Sequence, residues 1–113
     1  MFTKNHTMRK ATVARARDGE GEVHFTHILE KDVHPACQMF ARLELAPGAS
    51  VGAHEHTDDA EIYYILKGTF EVSDNGENKE ARAGDVLYTA DGESHSIRNI
   101  GTEPGELLAV ILR

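Results

Sequence analysis

Cysteine occurs once in these 113 residues, as Cys37, so no internal disulfide can form and the chain must be held by its own core. A single thiol suits a reducing compartment, and the cytoplasm is the expected location. Tryptophan is absent and proline occurs only three times. No stretch sustains a 3.6-residue apolar period, which argues against a helical protein. The longest apolar run, Leu107 to Leu112, falls far short of the ~20 residues a membrane-spanning helix needs. The opening MFTKNHTMRK lacks the apolar stretch of a secretory signal. Positive charge is also in deficit, with 12 Lys and Arg against 19 Asp and Glu for a net charge of −7. That balance disfavours nucleic acid, whose binding leans on Lys and Arg at phosphates. The basic run of Lys4, Arg9, Lys10, Arg15 and Arg17 reads as a solvated edge strand. Neither nucleic acid nor a membrane is an expected partner.

Apolar residues at 40% and charged residues at 27% are ordinary for a globular chain of this length, which is enough for one domain. Short apolar or alternating runs are separated by turn signals every eight to twelve residues, the pattern of a sandwich or barrel. Strands are expected over Glu22 to Leu29, Gln38 to Leu45, Glu61 to Leu66, Thr69 to Ser73, Asn78 to Arg82, Asp85 to Thr89, Ser94 to Asn99 and Glu106 to Leu112. Asn75-Gly76 marks a hairpin, because both central residues must tolerate positive φ. The predicted organisation is an arm or edge strand over residues 1–21, followed by one all-β antiparallel barrel over residues 22–113.

Alternation places Met39, Ala41, Leu43 and Leu45 on one face of their strand. Phe40 interrupts the polar face, which suggests that this side is partly covered, as by a second subunit. In the strand that follows the His-rich segment, Glu61 shares a face with Tyr63 and Ile65. A carboxylate in a packed interior needs a partner, since an unpaired buried charge costs many kcal/mol. Partners are near. His54 and His56, one residue apart in extended backbone, project to one side, and Glu61 follows after four loop residues. His95, just past the Asp91-Gly92 turn, is the best candidate for a fourth donor.

The stretch from Gly48 through His54, His56 and Glu61 to Gly68 resembles the first cupin motif, G-x5-H-x-H-x4-E-x6-G, at every fixed position. Gly84, Gly92, His95 and Asn99 resemble the second, G-x5-P-x-G-x2-H-x3-N, with Ala90 where the family usually has proline. A lone H-x-H would be weak evidence; two motifs in order are specific. The resemblance implies a small jelly-roll, or double-stranded β-helix, barrel that binds one divalent transition metal through His54, His56, Glu61 and His95. Three imidazoles and a carboxylate suit Mn, Fe, Ni or Co with two open positions, and Zn and Cu remain admissible. It also implies a small-molecule ligand, and a homodimer, since small cupins commonly pair through exposed β edges.

Residues beside that set are weaker candidates. Tyr63, Met39, Tyr88 and His27 are the expected pocket-lining side chains. Asp58 and Asp59 read as solvated turn residues before they read as a proton shuttle. Arg42 and Arg98 point away from the cavity by strand parity. Asn99 is expected to tie a turn with its amide. The expected function is a metal-dependent enzyme acting on a small oxygenated organic substrate, by oxygenase, decarboxylase, lyase or isomerase chemistry. The alternative is a noncatalytic metal-dependent sensor or binding protein.

Overall fold

Ten antiparallel strands build the computed structural model, which describes residues 1–113. In chain order they are β1 (Arg9–Ala14), β2 (Glu22–Leu29), β3 (Cys37–Leu45), β4 (Ser50–Glu55), β5 (Ala60–Lys67), β6 (Thr69–Asp74), β7 (Glu77–Arg82), β8 (Val86–Thr89), β9 (Ser94–Asn99) and β10 (Gly105–Leu112). The only helical segments are single 3-10 turns at Asn5–Thr7, Ala16–Asp18 and Lys31–Val33. None is long and apolar enough to cross a membrane. The strands form a six-stranded sheet, ordered β1-β2-β3-β10-β5-β8, and a four-stranded sheet, ordered β4-β9-β6-β7. The all-β jelly-roll expectation is met.

Local chemistry explains most of the boundaries. Asn75 and Gly76 adopt φ of 52° and 86° and close the β6–β7 hairpin behind the Asp74–Glu77 pair. This is the two-residue turn whose twist matches its strands. Along β3, Ala41, Leu43 and Leu45 are buried, and across the inter-sheet space Phe70, Val72 and Ile97 meet them from the smaller sheet. Burying side chains of this size contributes about 1.5–3 kcal/mol each. Gly105 lies so close to the Phe70 ring that any side chain there would overlap it. The Asn99 amide, almost fully buried, donates to the carbonyls of Leu45 and Glu103, both at 2.9 Å, and accepts from Gly101 N–H at 2.8 Å. It ties the end of β9 to the turn before β10.

Two strands lie outside the eight expected from pattern. β4 contains Gly52 and three polar residues, Ser50, His54 and Glu55, so its extended form comes from pairing with β9 and not from local propensity. β1 buries nothing, yet it pairs along its whole length with β2, from Arg9–His27 to Ala14–Glu22, and forms one edge of the larger sheet.

Candidate metal centre

His54 and His95 are cross-strand partners on β4 and β9, so both rings rise from one face of the smaller sheet. Between Val51 and His54 the ladder slips by a bulge, which re-aims the end of β4. His56 sits one residue beyond that strand, with its N–H donating to Glu93 O and its carbonyl accepting from Gly92 N–H, at 2.9 and 2.7 Å. Glu61 comes from the opposite sheet, on β5, flanked by Thr89 and Ile111. Both sheets and one loop therefore supply the cluster.

The four donor atoms converge. His56 Nε2 lies 3.0 Å from Glu61 Oε1 and 3.1 Å from His95 Nε2, and His95 Nε2 lies 3.1 Å from both His54 Nε2 and Glu61 Oε1. All four are within 4.8 Å of one another. Ligands about 2.1 Å from an ion and at right angles stand about 3.0 Å apart, so this spacing fits a single transition-metal ion.

Ring orientation supports the same conclusion independently. His54 Nδ1–H donates to the Gly52 carbonyl at 2.8 Å, and His56 Nδ1–H donates to Asp59 Oδ1 at 2.7 Å. A carbonyl and a carboxylate only accept, so in the neutral form each of those rings keeps its proton on Nδ1, which leaves Nε2 free to coordinate. His95 Nδ1 is held 2.8 Å from the Thr89 hydroxyl. Lone pairs aimed at one point repel unless a cation sits between them. Burial, with help from the charges of His95 and Arg17, lowers the His54 pKa below its ordinary 6.5 and favours the neutral ring that a metal requires. The cluster is able to hold a metal ion.

Beside it lies a cavity of about 340 Å³, within the range of small-molecule sites. Val13, Phe25, Met39, Leu43, Val51 and Ile111 supply apolar walls, while His54, His56 and Glu61 face it from the cluster. Tyr63 also lines it, stacked on the His95 ring at 4.5 Å and 11°. Its burial, and then the neighbouring Glu61 carboxylate, push the phenol pKa well above 10, so the hydroxyl stays protonated.

The other two side chains predicted to line the pocket lie elsewhere. Tyr88 is 57% exposed on the outer face of the six-stranded sheet, opposite Ile62. His27 faces a separate pocket formed with Arg9, Glu30 and the N-terminal segment, because β2 continues past the end of the cavity.

Several contributors carried little sequence signal. Asp59 is not a free turn residue but the orienting partner of His56; the His-x2-Asp spacing was the available hint. Thr89 and Gly52 orient the other two rings, and Arg17 reaches the cavity from the segment before β2. The Ala90 departure is compensated locally. Ala90 N–H, which a proline would lack, donates to Glu93 Oε1 at 2.8 Å, and Asn75 holds the other carboxylate oxygen at 2.8 Å. Those two bonds pull the Glu93 pKa below its ordinary value and stiffen the turn that presents His95.

Two facing antiparallel sheets that bring three imidazoles and a carboxylate together define a jelly-roll barrel with a four-donor centre. A family model described as Cupin domain matches residues 41–111, and the chain belongs to the cupin superfamily. It is 43% identical to an oxalate-binding protein of Thermotoga maritima, over 99% of this chain and 93% of that protein. A crystal structure from Thermotoga maritima, described as a predicted oxalate decarboxylase, superposes with a TM-score of 0.94 at 43% identity, covering 99% of this chain and 98% of that one. The tetracenomycin polyketide synthase protein TcmJ of Streptomyces glaucescens is 26% identical over 96% of this chain and 78% of its own length.

Proposed function

We propose that this protein holds one divalent transition metal through His54, His56, Glu61 and His95 and uses it to coordinate a small oxygenated organic acid. The observation that carries this reading is the convergence of three imidazole Nε2 atoms and one carboxylate oxygen, with the Nδ1 side of each ring already bound. Four protein donors would leave open positions on a six-coordinate ion for the oxygens of a ligand. Mn, Fe, Co and Ni suit the set, with Zn and Cu also admissible. The ion, when bound, supplies Lewis-acid polarisation of the coordinated acid.

The chain's own residues do the rest. The apolar walls exclude water from the ligand, Tyr63 braces His95 by stacking, and Asp59, Thr89 and Gly52 lock the three rings. The relative named for oxalate binding makes oxalate the leading probe. Our reading is a metal-dependent enzyme acting on such an acid, in the cytoplasm. A noncatalytic binding protein is the second reading, favoured by one observation: no uncommitted acid or base faces the cavity. Asp59 is taken by His56, and Tyr63 is held protonated. Elemental analysis of protein purified without added metal, followed by oxalate titration with formate and CO₂ detection, separates these readings. Metal with turnover supports the enzyme, metal with binding alone supports the second reading, and a metal-free protein that takes up none of these ions overturns both.

A second copy of the chain is the partner we infer for the outer face of the six-stranded sheet. Phe40, Ile62, Tyr64, Val86, Tyr88, Leu108 and Val110 are neighbours there by register, and Val86 is 64% exposed. A contiguous apolar face of this kind is unusual on a monomer and suits an isologous dimer.

A further inference from the structure

Arg17 is the only Lys or Arg among the residues lining the cavity. It forms no ion pair, although Asp18 follows it directly. The backbone around it is unusual. Arg15, Arg17 and Asp18 all adopt left-handed φ, at 52°, 51° and 63°. For side-chain-bearing residues such a cluster persists only where the surroundings over-determine it.

The surroundings here are the bulge in β4. The Arg17 carbonyl lies against Gly52, and Gly19 lies against the Ser50 carbonyl, each so close that a Cβ on either glycine would collide with backbone. Ser50 N–H donates to Glu20 O, and Glu20 N–H donates to Ser50 Oγ, both at 2.9 Å. Gly52 is also the residue whose carbonyl orients His54. One glycine thus fixes the strap that carries Arg17 relative to a donor of the metal cluster.

Charge states what this arrangement is for. A divalent ion with one carboxylate and three neutral imidazoles leaves a net charge of about +1 at the centre. Arg17 adds another at the same cavity, and apart from Glu61 no lining residue is anionic. Arg17 is exposed, so solvent screens the two like charges until a ligand displaces that water, and an anion then neutralises both. We propose that Arg17 is the second anchor of the bound ligand, receiving carboxylate oxygens that the metal leaves free, and that the site selects dicarboxylate dianions over monoanionic acids. Guanidinium suits this role because its planar donors match a carboxylate. The inference rests on the metal reading above and adds the residue and the charge that set specificity.

The test uses manganese-loaded full-length protein and two two-carbon probes, oxalate (a dianion) and glycolate (a monoanion that chelates through a carboxylate and a hydroxyl). Calorimetric titration of wild type is expected to favour oxalate. Arg17→Gln is expected to weaken oxalate by at least about tenfold while glycolate changes by less than about threefold. Arg17→Lys is expected to recover part of the oxalate loss. Manganese stoichiometry, measured on each variant, reports that the centre has formed. Equal losses for both acids, or no loss for either, overturn the role of Arg17 and leave the metal reading standing. Wild-type protein that takes up neither manganese nor any of the other admissible ions overturns both.

Discussion

The Nε2 atoms of His54 and His95 stand 3.1 Å apart on neighbouring antiparallel strands, each ring anchored from behind by a different partner, Gly52 and Thr89. Neither ring can turn away without breaking its hydrogen bond, so the pair is set before any ion arrives.

Thr89→Val tests that preorganisation. Valine keeps the shape of this fully buried residue and removes the hydroxyl, leaving His95 Nδ1 without a partner. Metal affinity is expected to fall roughly 10–100-fold, with the barrel intact by circular dichroism. Competition titration against a chromophoric chelator measures it, and an unchanged constant would show that Thr89 is a bystander.

His95→Ala removes a donor outright. Metal content after dialysis is expected to drop to near zero, while Asp59→Asn, which keeps an acceptor for His56, loses no more than roughly 10–100-fold in affinity. If His95→Ala protein retains stoichiometric metal, the four-donor assignment is wrong.

The pH dependence of the metal-free protein follows from His54. Its folded pKa lies below 6.5, chiefly through burial. The unfolded chain therefore binds more protons than the folded one once the pH drops beneath that value. Stability then rises with pH, and is lost as pH falls from about 6.5 towards the lowered folded pKa. Urea midpoints at pH 7.5, 6.0 and 5.0 should decline along that series, and less steeply in His54→Gln. Parallel declines would assign the effect to other groups.

Gly52→Ala contrasts with Gly76→Ala. Both glycines matter for backbone, but a methyl group at Gly52 strikes the Arg17 carbonyl, whereas Gly76 has open space and only its φ of 86° against it. Gly76→Ala is expected to cost about 1 kcal/mol and leave metal binding alone. Gly52→Ala should lower both the melting temperature and metal affinity, because the bulge that orients His54 must move.

Tyr88→Glu combined with Val86→Lys places charge on the outer sheet face. Light scattering should report a dimer for wild type and a monomer for the double variant. A monomeric wild type would remove the case for that interface.

Much of this molecule was readable from sequence because strands with alternating or continuous apolar residues declare themselves. β2 and β9 begin and end where their pattern does, at Glu22–Leu29 and Ser94–Asn99. The cluster was readable for a different reason: His54, His56 and Glu61 lie at short, fixed spacings, and His95, far along the chain, was marked by the Asp91-Gly92 turn and the second motif. β4 was not, because a short run with a glycine, a histidine and a glutamate has no strand signature until β9 pairs with it. Tyr88 shows the limit of alternation, which says that two residues share a face and not which face looks inward. Asp59, Thr89 and Arg17 act only through contacts that the fold creates, and no local pattern announces them.

The two sheets differ in strand number, six against four, and β1 is the outermost strand of the larger one. Val13 on β1 and Phe25 on β2 wall the cavity and are not among the four donor residues. The walls of the proposed ligand chamber are thus separable from the residues proposed to grip an ion. Substitutions at those two positions can reshape which molecules are admitted while the chemistry stays untouched, so diversification of this scaffold has a ready route along its rim.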